Sequence, residues 1–159
     1  MKIIIDTREQ APFTFAGSRY SGVVVERCAL DTGDYSLVGL ADRVAVERKS
    51  LADLVFCLGR ERDRFERELQ RAAALDAFAV VVEASWVDLA GGNYRSKISP
   101  YAACQSVLAF TARYRIPFLF TGGRSHAEDV TVGFLRQYLE SARKRYGSIV
   151  KAHGAGEAV

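Results

Sequence analysis

The change of hydrophobic period at Ser50 constrains the fold of this chain more than any other feature of its sequence. Before Ser50, short β-branched or aromatic runs are bounded by polar and glycine-containing stretches, which is typical of strands. After it, apolar residues recur at i, i+3, i+4 and i+7, which is the spacing of one helix face. We therefore predict a small antiparallel or mixed sheet in the first 48 residues, followed by a helix. The predicted strands are Ile3–Ile5, Val23–Val25, Tyr35–Val38 and Val44–Val46.

Helix and strand signals alternate along the rest of the chain. Ser50 caps a predicted helix that ends at Gly59, and a second helix is predicted from Arg60 to about Leu75. Strands followed by alternating helices and strands are typical of an α/β domain. The later predicted elements are a buried strand at 79–82, a helix that begins at Ser99-Pro100, a strand at 117–120 and a helix at 127–146. The predicted inner face of the Ser99-Pro100 helix carries Tyr101, Cys104, Val107 and Leu108.

Length and composition exclude several classes of protein. The chain has 159 residues, of which 49% are hydrophobic, so we expect one globular domain. Its three cysteines match no zinc spacing. The first charge after Lys2 comes behind only three apolar residues, and no apolar run approaches the ~20 residues of a membrane span. We expect a cytoplasmic protein, associated with the nucleoid if it is prokaryotic, and no membrane partner.

The net charge of +3 conceals local clusters of basic residues. Four arginines at i, i+4, i+7 and i+11 would form one stripe on the second predicted helix, which is suited to a phosphate backbone. The alternative is a solvated face balanced by neighbouring acids. Two further cations lie in a loop, where they either reach a nucleic acid or are simply solvated. These candidate DNA-binding residues are Arg60, Arg64, Arg67 and Arg71 on the stripe, and Arg95 and Lys97 in the loop.

A set of acidic residues follows the predicted early strands. Hard cations such as Mg²⁺ need several oxygen ligands, and carboxylates on neighbouring strands can converge on one ion. Glu47 and Lys49 are two residues apart, so both side chains point to the same face of a strand. A metal ion, an activated water and a nearby ammonium group are the ingredients of phosphodiester hydrolysis. The candidate acids are Asp6, Glu9, Asp34 and Glu47.

The order of these residues resembles a known nuclease signature. Gly33-Asp34, Glu47-Arg48-Lys49 and Asp53 resemble the GD…ERKxxxD signature of the XPF nuclease family, a branch of the PD-(D/E)xK superfamily. Asp6-Thr7-Arg8-Glu9 resembles the upstream D-x-R-E element of that family. The resemblance implies a restriction-endonuclease-like fold: an α/β domain with a central mixed β-sheet flanked by helices. We expect it to cover residues 1–146, with a flexible tail at 147–159.

The resemblance also implies roles for individual residues. Asp34 and Glu47 would bind Mg²⁺ or Mn²⁺, and Asp6 and Glu9 would complete the metal shell. Lys49 would orient or polarise the attacking water. The alternative is a structural role, in which these acids form an ion-pair network with the neighbouring cations, because such networks also perturb the pKa values of carboxylates.

Other positions leave alternatives open. Arg8 and Arg48 would either grip the scissile phosphate or brace the acids. Asp53 has a structural interpretation as part of the helix cap, which we favour over direct catalysis. Glu68 stands where many relatives carry glutamine, and no tandem helix-hairpin-helix segment follows the nuclease region.

The sequence thus favours a metal-dependent DNA endonuclease, acting on branched, flap or fork DNA in repair or recombination. The alternatives are a non-catalytic DNA-binding or partner-docking module, and a sequence-specific or RNA-directed nuclease on the same fold. We expect a homodimer, or a partner that supplies a second DNA-binding unit. The last two helices and the strand at Pro117 are the expected dimer interface.

Overall fold

The structure is a computed structural model that describes residues 1–154 of the chain. Six strands in this part of the chain form a single sheet, and five α-helices flank it. The strands are β1 (Lys2–Ile5), β2 (Val24–Arg27), β3 (Tyr35–Leu37), β4 (Val44–Lys49), β5 (Ala77–Val82) and β6 (Phe118–Phe120). The helices are α1 (Leu51–Leu58), α2 (Arg62–Ala72), α3 (Trp86–Gly91), α4 (Pro100–Tyr114) and α5 (Arg124–His153).

The sheet is mixed, with strand order β2-β1-β3-β4-β5-β6. β3 lies antiparallel between β1 and β4. The remaining pairs, β1 with β2, β4 with β5 and β5 with β6, are parallel. The predicted fold class, an α/β domain with a central mixed sheet flanked by helices, is therefore confirmed.

Side-chain alternation along the central strands divides the core into two layers. On one face of the sheet, which we call the α1–α4 face, Val80 and Val82 pack with residues of α1, α2 and α4. On the opposite face, the α5 face, Val81 packs with Val132 and Leu135 of α5. Successive strand residues point to opposite sides, so β5 is buried on both faces, as its unbroken apolar sequence predicts.

The boundaries of two helices differ from the prediction. α2 begins at Arg62, because the backbone N–H groups of Gly59 and Glu61 bond back to carbonyls of α1 and keep residues 59–61 in a turn. Arg60 therefore lies outside the helix. α5 runs from Arg124 through Gly147 to His153, since one glycine costs an exposed helix only about 1 kcal/mol. Residues 155–159 of the predicted tail lie outside the described residues.

Two smaller features also differ. The sequence analysis missed α3, a six-residue helix with a capping box between Ser85 and Asp88. On α4, Cys104 and Val107 are buried as predicted, but Tyr101 and Leu108 are exposed, because Ala103 and Phe110 occupy the inner face. None of the helices in residues 1–154 is long and apolar enough to cross a membrane.

Candidate active site

The Gly33-Asp34 turn fixes the position of the first candidate metal ligand. Gly33 has a φ of +84°, which side chains rarely adopt, and an added Cβ would lie 2.9 Å from Ala45 Cβ and 3.1 Å from the Val46 carbonyl oxygen. The backbone N–H of Asp34 donates to that same carbonyl at 2.8 Å. Glycine is required here because the turn presses its backbone onto β4, and Asp34 is thereby held at the start of β3.

Strand register brings Asp34 to Glu47. β3 and β4 pair with Tyr35 opposite Val46, so the next position along places Asp34 opposite Glu47. Directly opposed residues of antiparallel strands point to the same face, with Cβ atoms about 5 Å apart. The Asp34 carboxylate also accepts a hydrogen bond from the Arg48 backbone N–H at 2.8 Å. Glu47 is only 6% exposed and Asp34 is partly buried, so the two acids form a pair that is largely shielded from solvent.

Alternation along β4 separates the three residues of the Glu-Arg-Lys motif. Glu47 and Lys49 share the α1–α4 face, as predicted, and their side chains form an ion pair. The Lys49 ammonium also stands over the Phe65 ring, 5.6 Å from its centroid. Arg48 points to the α5 face. The motif therefore contributes one acid and one cation to the Asp34 side of the sheet.

Asp6 is engaged by protein donors. Its carboxylate accepts hydrogen bonds from the Arg8 guanidinium at 2.9 Å, from the Arg8 backbone N–H at 2.7 Å and from the Leu30 backbone N–H at 2.7 Å. The Arg8 side chain remains 72% exposed beyond this contact. Asp6 therefore ties the end of β1 to the segment that precedes β3.

Glu9 belongs to a network on the α5 face. Arg48, whose side chain is 12% exposed, donates to Glu9 Oε1 at 3.0 Å and lies 3.3 Å from Glu83 Oε1. Arg124 bonds the same Glu83 oxygen at 2.7 Å. The Glu9 carboxylate also accepts from Arg48 Nε at 3.2 Å and from the Ala11 backbone N–H at 2.7 Å. For Arg48, this geometry favours bracing of acids over contact with a phosphate.

The two sets of acids differ in their electrostatics. The Arg8 guanidinium lowers the pKa of Asp6 to about 2. Although burial opposes it, hydrogen bonds from Arg48 and Ala11 lower the pKa of Glu9. The Asp34–Glu47 pair shows the opposite shift.

Burial is the main cause of the raised values. It raises the pKa of Asp34 to about 6. Burial and the neighbouring Asp34 carboxylate raise the pKa of Glu47. Lys49, whose own pKa is raised by Glu47 although burial opposes the shift, does not fully compensate the two charges. Holding both carboxylates charged in this site is therefore unfavourable, and a bound cation would relieve that cost.

A cavity of about 270 Å³ opens over this pair, and we call it the Asp34–Glu47 cavity. Two arginines of α2 line it, Arg64 and Arg71, which lie seven residues apart on one helix face. Glu68, between them, also lines it, and the sequence analysis treated that residue only as a departure from the family pattern. The 64-68-71 helical spacing was the signal that could have identified it. The other lining residues are Asp6, Arg8, Asp31, Thr32, Gly33 and Lys49.

The structure only partly assembles the predicted four-carboxylate metal shell. Within residues 1–154, no three His, Cys, Asp or Glu side chains are grouped closely enough to hold a metal ion. Asp6 lines the cavity, but its oxygens face Arg8 and Leu30, and Glu9 lies outside the cavity. The geometry does not support completion of a metal shell by Asp6 and Glu9. Asp34 accepts one bond from the Arg48 backbone N–H and Glu47 pairs with Lys49, but within the described residues neither carboxylate is bonded to an arginine side chain.

The predicted basic stripe divides into separate groups. Arg60 lies in the turn before α2, so the expectation of four aligned helix positions is wrong. Arg67 is exposed and lines neither of the cavities described here. Arg60, Arg95 and Lys97 come together at a second cavity of about 760 Å³, between α1 and the loop at 93–98.

Comparison with known proteins decides the family. Residues 5–134 match the model of the ERCC4 domain. The chain belongs to the ERCC4 domain family. This is a family of DNA nuclease domains, and the resemblance to XPF-type nucleases drawn from the Gly-Asp and Glu-Arg-Lys motifs is confirmed. No curated protein matches the chain.

Two solved structures share the fold. XPF from Aeropyrum pernix in complex with DNA is 22% identical, with a TM-score of 0.66 over 88% of this chain and 66% of that one. A second structure of XPF from Aeropyrum pernix is 23% identical, with a TM-score of 0.66 over 98% of this chain and 76% of that one. This chain therefore spans about two thirds to three quarters of the length of those proteins.

Proposed function

We propose that the protein is a divalent-metal-dependent DNA endonuclease that hydrolyses phosphodiester bonds. The observation that carries this proposal is the Asp34–Glu47 pair. A buried and a partly buried carboxylate, both with raised pKa values, face one cavity beside the Lys49 ammonium and two arginines of α2. Perturbed acids in a cleft, next to a cation, are characteristic of catalytic sites.

The pair fits Mg²⁺ or Mn²⁺. Both ligands are oxygen donors, and Mg²⁺ is commonly bound by one or two carboxylates together with substrate phosphates. The neighbouring Asp34 carboxylate contributes to the raised pKa of Glu47, so a cation bound between the two would relieve their repulsion. When bound, such an ion lowers the pKa of a coordinated water and offsets charge that develops on the phosphoryl oxygens.

The remaining residues of the cavity act on water and phosphate. Lys49, held by Glu47 and the Phe65 ring, presents its ammonium group beside the acids, where it orients the attacking water and stabilises developing negative charge. Arg64, Arg71 and the exposed part of Arg8 contact DNA phosphates. Asp6 and Arg48 keep the strand ends in place.

We further propose branched DNA, such as flaps or forks, as the substrate, in repair or recombination. Residues 1–146 form the nuclease domain in this proposal, and a dimer mate or a partner supplies a second DNA-binding unit. A homodimer through α4, α5 and β6 is consistent with the exposed apolar side chains Tyr146 and Ile149 on α5. XPF from Aeropyrum pernix, a protein of the same fold, has been solved in complex with DNA, which supports DNA as the ligand class in this proposal.

The test is a cleavage assay with labelled duplex, fork and flap DNA, in Mg²⁺, Mn²⁺ or EDTA. We expect the wild-type protein to cut in either metal and not in EDTA, with forks or flaps preferred. Asp34→Asn should be inactive, and Arg67→Gln, which removes a cation outside the cavity, should remain active. Absence of metal-dependent cutting, or equal cutting by Asp34→Asn, would overturn the proposal. Tight, salt-sensitive binding without cutting would instead favour the non-catalytic module.

A further inference from the structure

The second cavity combines an exposed aromatic ring with apolar walls. We call it the α1 groove, because Val55 and Phe56 of α1 form one side and the loop at 93–98, with Ile98, forms the other. Phe56 is 47% exposed, whereas Leu54, Val55 and Leu58 of the same helix are buried. Its ring therefore borders an open concave space of about 760 Å³ rather than the core.

The polar lining of the α1 groove is strongly basic. Arg60, Arg95 and Lys97 line it, and no carboxylate does. In the part of the chain that the structure describes, none of these three cations forms an ion pair, although Arg62 and Arg64 on the neighbouring helix both do. Three uncompensated cations around an aromatic ring complement a ligand that has both negative charge and a flat apolar face.

The α1 groove adjoins the proposed active site. A smaller cavity of about 180 Å³ shares Lys49, Arg64 and Glu68 with the Asp34–Glu47 cavity, and it shares Phe56 with the α1 groove. Asp53 and Glu61 also line this smaller cavity, so its walls are acidic as well as basic. The α1 groove and the Asp34–Glu47 cavity are therefore neighbours that share their lining residues with a third cavity.

We propose that the α1 groove binds unpaired nucleotides of a DNA strand, with a base stacked on Phe56 and its phosphates contacted by Arg60, Arg95 and Lys97. This inference rests on the proposed function, because it takes DNA as the substrate and names the strand that leaves the active site. Bases within a duplex are covered by their neighbours, whereas an unpaired base exposes its face to a side chain. Aromatic rings in basic grooves are the recurring means of binding single strands.

Binding in EDTA tests the proposal without cleavage. The probes are a single-stranded oligonucleotide with one 2-aminopurine and a blunt duplex of the same sequence, followed by fluorescence anisotropy and by quenching of 2-aminopurine. We expect Phe56→Ala to raise the Kd for the single strand about tenfold, which corresponds to about 1.4 kcal/mol and lies within the range of base stacking. The Kd for the duplex should change less than twofold.

Matched variants separate stacking from structural damage. Phe56→Trp should restore both affinity and quenching, whereas Phe56→Leu, which keeps apolar bulk without a ring, should not. Val87→Ala, which trims an exposed apolar side chain on α3 outside both the α1 groove and the proposed dimer interface, should leave single-strand binding unchanged. Because Phe56 is half exposed, all of these variants should unfold at the wild-type temperature.

The salt dependence of single-strand binding tests the contacts of the cations. The double variant Arg95→Gln, Lys97→Gln should reduce the slope of log K against log salt for the single strand by about 1.4, since each phosphate contact contributes about 0.7. An unchanged slope would contradict phosphate contacts in the α1 groove.

Other outcomes would overturn the proposal in distinguishable ways. Wild-type protein that does not bind the single strand, or Phe56→Ala that binds it within twofold of wild type, would refute the α1 groove while leaving metal-dependent cleavage intact. Equal losses for single strand and duplex would refute stacking of an unpaired base. Single-strand binding that depends on Phe56 in a protein without nuclease activity would refute only the proposed function. Displacement of the oligonucleotide by an acidic, aromatic peptide alone would assign the groove to a protein partner.

Discussion

Two pairs of carboxylates lie on neighbouring segments of the sheet, and their surroundings differ: Asp6 and Glu9 follow β1, whereas Asp34 precedes β3 and Glu47 lies on β4. Asp6 and Glu9 each accept several hydrogen bonds from an arginine and from backbone N–H groups. Asp34 and Glu47 face each other in a cavity, and one lysine is the cation paired with them. The comparison indicates which acids hold the fold and which are available to bind a cation.

The pKa directions express the same difference. Arg8 lowers the pKa of Asp6 to about 2, whereas burial raises the pKa of Asp34 to about 6. A lowered pKa means that the folded protein stabilises the charged carboxylate, and a raised pKa means that it destabilises the charged form. Carboxylates with destabilised charge are concentrated at functional sites.

The largest expected effect is on catalysis. Asp34→Asn and Glu47→Gln should each lower the rate of metal-dependent cleavage by at least about 10³-fold, or about 4 kcal/mol, since each removes a charged ligand from the proposed metal site. Asp6→Asn should stay within about tenfold of wild type under conditions where it is folded. Single-turnover kinetics on a flap substrate measure both. A greater loss for Asp6→Asn than for Asp34→Asn would reverse the comparison.

The substitutions should affect stability in the opposite order. Asp6→Asn should lower the free energy of unfolding by about 1–3 kcal/mol, because a buried backbone N–H of Leu30 and the Arg8 guanidinium lose a charged acceptor. Asp34→Asn, which keeps the Glu47–Lys49 ion pair, should leave the metal-free protein at neutral pH as stable as wild type or more so. Urea denaturation at neutral pH in EDTA provides the values. If both substitutions cost the same, the distinction between bracing and cation-binding acids would fail.

The pH dependence of stability should also differ between the pairs. The folded pKa of Asp34, about 6, lies above its unfolded value near 3.9, so the folded protein binds more protons between these values and loses stability as the pH rises through that window. The folded pKa of Asp6, about 2, lies below the unfolded value, so its contribution is present above pH ~4 and is lost as the pH falls towards 2.

Denaturation in EDTA at pH 4 and pH 7 checks these signs. The Asp34→Asn variant should lose less stability between the two pH values than wild type does. Saturating Mg²⁺ at pH 7 should raise the stability of wild type but not of Asp34→Asn. A variant with the same pH profile as wild type would show that Asp34 is not the costly charge.

The smallest effect is expected at Arg8. Its side chain is mostly exposed, so Arg8→Gln should lower the free energy of unfolding by less than about 1 kcal/mol, as is usual for exposed ion pairs. Asp6 would keep its bond from the Leu30 N–H. The same urea experiment measures it, and a loss as large as that of Asp6→Asn would show that the ion pair, rather than the backbone bond, anchors β1.

Much of the fold and of the site was predictable because its signals are local. The Ser50 cap, the apolar run of β5 and the two-residue alternation of Glu47 and Lys49 depend on neighbours in the sequence, and the structure has each of them. Gly33 is also explained, because its positive φ and close approach to β4 leave no space for a side chain.

What the sequence could not show depends on contacts between distant segments. The Leu30 backbone N–H donates to the Asp6 carboxylate, but Leu30 lies in an irregular segment without a hydrophobic period that would predict its position. The orientation of Glu9 towards Arg48, on the opposite face from Asp34, follows from the strand register. Arg60 does not belong to the predicted arginine stripe, because backbone hydrogen bonds to α1 keep residues 59–61 in a turn and α2 begins two residues later than predicted.

The most direct test of the account is a crystal structure of the protein with Mn²⁺, examined by anomalous scattering at pH 7 or above. We predict a peak between the carboxylates of Asp34 and Glu47, with Asp6 still bonded to Arg8 and Leu30. A peak on Asp6 or Glu9 with none between Asp34 and Glu47, in crystals of a protein that cleaves DNA with Mn²⁺, would contradict it.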